Sequence, residues 1–75
     1  MNDWRDESEE RVMAFSTEPH HVNVTFSKHA GIYTLPVVRD DFVRQMTNIA
    51  EAWKSGREVR IVLEGGEVLS VGEPR

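Results

Sequence analysis

The sequence predicts an α+β domain, a small ββαββ sheet packed on one amphipathic helix, with a further strand possible at the N-terminus. Three observations predict it: an apolar stripe at helical spacing over residues 41–55, a strictly alternating run over 21–27, and a glycine pair between two β-branched runs near the C-terminus. Seventy-five residues make one domain. A chain of this size hides only about 60% of the surface its unfolded form exposes, so its core is thin.

The helix is the clearest element. Phe42, Met46, Ile49, Ala50 and Trp53 fall at i, i+4, i+7, i+8 and i+11, which predicts a buried stripe with Arg44, Gln45, Asn48, Glu51 and Lys54 on the solvent side. Asp40 suits a cap and Asp41 the positive end of the helix dipole. Lys54 suits the negative end, and Gly56 is placed for a left-handed C′ residue.

Beyond the helix, Glu58–Glu64 and Glu67–Val71 flank Gly65-Gly66, and two glycines between such runs predict a type I′ hairpin. A two-residue turn would set Glu64 opposite Glu67, Leu63 opposite Val68, Val62 opposite Leu69 and Arg60 opposite Val71. Facing residues share a side. The hairpin would then bury Val59, Ile61, Leu63 and Val68 under the helix. Val62, Leu69 and Val71 would be left on a second apolar face, expected to meet the N-terminal segment or a second copy in a homodimer.

Upstream, Val22, Val24 and Phe26 alternate with polar residues over His21–Ser27 and read as a half-buried strand. Lys28–Gly31 reads as a turn and Ile32–Leu35 as the return strand, with Pro36 ending the pairing. Val12–Ser16 is the candidate extra strand. Residues 1–11 read as an acidic, loosely ordered segment and 12–75 as the folded domain.

The net charge of -4 is not spread evenly. Residues 1–18 hold Asp3, Asp6, Glu7, Glu9, Glu10 and Glu18 against Arg5 and Arg11, while acids and bases balance over the other 57 residues. A concentration of this kind repels phosphate backbones and favours basic partners. Trp4, an aromatic among acids, suits an interaction segment. Asp3, Trp4, Asp6, Glu7, Glu9 and Glu10 are therefore the expected partner-binding residues, the partner being a basic protein or complex.

Chemistry is otherwise sparse. The chain holds no cysteine, which removes thiol nucleophiles, disulfides and zinc-thiolate sites and is in keeping with a reducing, cytoplasmic setting. Neighbouring strand residues point to opposite faces, so His20 and His21 make a poor chelate, and His29 belongs to a turn at the far end of the strand. Asp40 and Asp41 are accounted for by the helix start, and Glu64 and Glu67 flank an exposed turn. Gly65-Gly66 joins strands rather than opening a helix, unlike a phosphate loop. The cations Arg39, Arg44, Lys54, Arg57 and Arg60 are interleaved with acids, which disfavours direct nucleic-acid binding. The acidic N-terminus has no apolar run to enter a membrane or serve as a secretion signal. No enzyme, cofactor or metal role is expected.

The stretch Asn48–Ile61, helix, glycine, strand, resembles the helix-to-strand passage of small OB-type barrels, including some toxin binding subunits. That resemblance implies a nucleic-acid or glycan-binding module as the alternative function. By size, acidity and lack of chemistry the chain is similar in kind to small phage-encoded inhibitors such as anti-CRISPR proteins, which implies a non-enzymatic inhibitor or regulator.

Overall fold

The computed structural model describes residues 5–73. In chain order the elements are β1 (Arg5–Glu10), β2 (Val12–Thr17), β3 (His21–Phe26), β4 (Tyr33–Pro36), α1 (Phe42–Ser55), β5 (Val59–Glu64) and β6 (Glu67–Val71). The predicted α+β class is correct: one helix packs on a six-stranded mixed sheet.

The strand order is β1-β5-β6-β4-β3-β2. Its two outermost strands are joined in sequence by Arg11 alone. β1 and β2 are therefore two halves of one bent strand, and the sheet curls back on itself. Counted as five strands with the helix between the third and fourth, this is the connectivity of an OB-type Greek-key barrel. Closure protects strand edges that an open sheet of this size would leave exposed. The seam is β4 with β6, a short parallel pairing at Thr34 and Glu67.

Val12, Val22, Val24, Phe26, Leu35, Val59, Ile61, Leu63, Val68 and Val71 fill the interior, with Ile49 and Ala52 of the helix. The packing of α1 differs from the predicted stripe. Its buried residues are Gln45, Asn48, Ile49 and Ala52. The physical reason is backbone satisfaction: β4 pairs with β6 at a single position, so Val71 needs other partners. The Val71 N–H donates to Gln45 Oε1 at 2.8 Å, and Asn48 Nδ2 donates to the Val71 carbonyl at 2.7 Å. Two side-chain amides thus stand in for a strand, and Trp53, predicted as core, is 51% exposed with its edge against Phe15.

The helix ends as predicted, with Gly56 in the left-handed region donating to the Ala52 carbonyl at 3.1 Å. Its start differs. Asp41, not Asp40, is the N-cap, and its carboxylate takes Arg39 and Gln45 instead of the first helical amides. The Arg39 side chain bonds Asp41 through Nε and Nη2 (3.0 and 2.9 Å), Glu67 at 3.1 Å, and the carbonyls of Val68 and Leu69. It sutures the helix entry to β6 beside the seam.

The C-terminal hairpin carries a second correction. Leu63 faces Val68 as expected, but Val62 faces Ser70 and Ile61 faces Val71. Leu69 is an extra residue, a β-bulge that reverses the facing of Ser70 and Val71. Val71 is consequently core, at 2% exposure, while Val62 and Leu69 stay half-buried on the outer side.

Candidate functional site

Within the segment expected to be loosely ordered, residues 5–10 form a strand. All six residues of β1 pair with β5, from Arg5 opposite Glu64 to Glu10 opposite Val59. Alternation along β1 then sorts its charges. Asp6, Ser8 and Glu10 share the side of the core residues Leu63, Ile61 and Val59, and Arg5, Glu7 and Glu9 face out with Arg60, Val62 and Glu64.

On the inner side, Glu10 is fully buried, so it cannot meet a partner as the sequence suggested. Its Oε1 accepts the backbone N–H groups of Lys28 (2.8 Å) and His29 (3.1 Å), and its Oε2 meets the Ser8 hydroxyl and His29 Nδ1. Burial pushes this carboxyl up. The bonds from Ser8, the Lys28 amide, and the ring and amide of His29 outweigh that, leaving it below the ordinary carboxylate range. His29 Nε2 lies 3.5 Å from Asp6, and the ring stands edge-on to Tyr33. Neighbouring bonds between Ser27 and Arg11 tie the β3–β4 loop to the bend between β1 and β2. Glu10 and His29 therefore clasp the barrel shut.

The clasp is not a metal site. Asp6 and Glu10 approach the imidazole from its two different nitrogens, so no single ion can contact all three groups. His20 is exposed and His21 pairs with Pro36 on β3, well apart from this cluster in the register. Among the described residues no three histidine or carboxylate side chains are grouped to hold an ion.

On the outer side, Glu7 and Glu9 share one guanidinium, that of Arg60, with Glu9 at 3.9 Å. Arg5 meets Glu64 at 3.4 Å and Lys28 meets Glu58 at 3.4 Å. Beside them lies a groove of about 430 Å³ lined by Glu9, Glu58, Val59, Arg60, Gly72 and Glu73. This wall collects Glu7, Glu9, Glu58, Glu64 and Glu73 against Arg5, Lys28 and Arg60. Sequence reasoning found Glu7 and Glu9 but missed Glu58 and Glu73, which only the β1–β5 pairing and the return of β6 bring alongside. Asp3 and Trp4 lie outside the described residues.

Barrels of this connectivity often bind polymers on the outer side of the strands equivalent to β3 and β4. Here that side and its β2 neighbour carry Ala14, Ser16, His21, Asn23, Thr25 and Thr34, with Ser16, Asn23 and Thr34 in one register row. It holds neither a cation row nor a phenylalanine, tyrosine or tryptophan ring. No helix among the described residues is long and apolar enough to cross a membrane.

The fold and the acidic wall define a small α+β barrel module with one charged outer side. Comparison with protein-family models, curated protein sequences and solved structures gives no match for the chain.

Proposed function

We propose that this protein is a non-enzymatic binding module, an inhibitor or regulator that presents its acidic β1–β5 wall to a basic protein surface. The observation that carries the reading is a groove lined by Glu9, Glu58 and Glu73 against Arg60, on the side of the β1–β5 pair that also carries Glu7, Glu64 and Arg5. A charged wall held by backbone pairing loses little freedom on binding, whereas a tail of the same composition must be ordered first. Like-signed fields of this sort accelerate encounter with basic partners and repel phosphate backbones.

Immobilised protein and a fold-checked Glu9→Lys/Glu73→Lys variant, exposed to cell extract at rising salt, test this. The reading expects a set of basic proteins retained by the parent, lost by the variant, and released as screening shortens the range of charge interaction. Retention of the same proteins by both forms would refute it.

The barrel connectivity supports a second reading, a polymer-binding module of the OB type. Fold alone carries little functional weight. The neutral hydroxyl and amide row on β2, β3 and β4 suits a glycan better than a nucleic acid, which wants cations and stacking aromatics. Binding of neutral oligosaccharides by the parent on a glycan array, abolished by substitutions on that row, would favour this second reading over the first.

A further inference from the structure

The apolar and the buried arcs of α1 do not coincide. At about 100° per residue, Gln45, Asn48, Ile49 and Ala52 centre on one direction, while Phe42, Val43, Met46, Ala50 and Trp53 centre roughly 120° away. Phe42 and Met46 are half-buried against the core, but Val43 is 74% exposed and Trp53 is 51% exposed. Exposed Val43 and Trp53, with half-buried Met46 and Ala50 between them, thus form an apolar stripe along the flank of the helix that the protein's own barrel covers only in part.

We propose that this stripe is the interface of a homodimer, two copies of α1 packing antiparallel about a twofold axis near the middle of the helix. The stripe is complementary to itself in that arrangement. With the axis beside residue 48, Val43 faces Trp53 of the other copy and Met46 faces Ala50, a large side chain against a small one. Such pairing lets helices approach closely. Each contact occurs twice, as an isologous interface requires.

Charge selects the antiparallel direction. Asp40 precedes the helix and Arg57 follows it, both are exposed, and neither has an ion-pair partner among the described residues. Reversing one helix against the other sets Asp40 of each copy beside Arg57 of its mate. A parallel pair would oppose Asp40 to Asp40 and Arg57 to Arg57. The arrangement uses none of the β1–β5 wall, so a dimer would present two acidic grooves. It replaces the hairpin face expected from sequence, where Val71 is core.

Sedimentation velocity over a concentration series tests the proposal, with circular dichroism to verify the fold of each variant. The parent is expected to shift from monomer to dimer, and Val43→Lys, a change at an exposed position, to remain monomeric. Asp40→Lys and Arg57→Glu should each weaken dimerisation about tenfold, through loss and reversal of two symmetric exposed pairs. Combined, they should restore it. A parent that stays monomeric to millimolar concentration, a dimer indifferent to Val43→Lys, or a double variant as weak as the singles would overturn the proposal. None of these outcomes bears on the binding of basic partners.

Discussion

Glu10, fully buried, and His29, on the β3–β4 loop, meet where the bent first strand turns from one side of the barrel to the other. The carboxylate accepts two loop amides, a serine hydroxyl and the imidazole, so one side chain satisfies four donors. An isosteric amide can accept at only one oxygen and brings two further donors of its own. Glu10→Gln should therefore cost about 2–3 kcal/mol, the scale for leaving buried donors unpaired. Urea unfolding measures it, and a loss under about 0.5 kcal/mol would show that the clasp does not hold the barrel closed.

Acid should weaken the fold through the same residue. Glu10 is held below its ordinary pKa in the folded state, so the unfolded chain takes up the proton first. The stability it contributes is full above the unfolded value and is lost as pH falls through the folded value. Asp41 is shifted the same way, chiefly by its bonds from Arg39, but at a solvent-exposed site where screening reduces the effect. Unfolding free energy should thus fall on acidification below about pH 4.5, and the slope should flatten in Glu10→Gln. Identical slopes in the two proteins would contradict this assignment.

The docking of α1 by amides leads to a counterintuitive result. Asn48→Leu makes the buried helix face more apolar yet removes the donor to the Val71 carbonyl. It should destabilise by about 1–3 kcal/mol, because the carbonyl stays buried and unpaired. Thermal unfolding of Asn48→Leu beside Val43→Leu separates the two effects, since Val43 is exposed and its exchange should be close to neutral.

Arg39 should resist even its conservative replacement. Lysine cannot reproduce the paired bonds to Asp41 while also reaching Glu67 and the carbonyls of Val68 and Leu69. Arg39→Lys should cost about 2 kcal/mol, in the range for broken charge-assisted bonds at a half-buried site. Denaturant unfolding measures it, and Arg44→Lys, at an exposed helix position, should change stability by no more than about 0.5 kcal/mol.

Much of the fold was legible because periodicity and glycine report directly on local geometry. The alternation of Val22, Val24 and Phe26 placed β3, and Gly56 and Gly65 marked turns that do take positive φ; Gly66 does not, so the hairpin turn is not the type I′ expected. Three features were hidden for physical reasons. β1 carries polar residues on both sides, and its inner acids are tolerable only because a loop nineteen residues away supplies donors to Glu10. The bulge at Leu69 leaves no trace in composition yet moves Val71 from surface to core. Gln45 and Asn48 read as solvent-facing because nothing near them in sequence shows that Val71, paired with β5, has no β4 residue on its other side. The acidic wall was half legible: excess charge on β1 was plain, but the arrival of Glu58 and Glu73 beside it is tertiary.

The proposed binding role rests on residues 5–10 being a paired strand that holds its acids in place. Amide hydrogen exchange resolved residue by residue tests that most directly. The N–H groups of β1 that bond to β5 should be protected to the same degree as those of β5 itself, and deprotected in Glu10→Gln. Exchange at the rate of an unstructured peptide across residues 5–10, with β5 still protected, would contradict it.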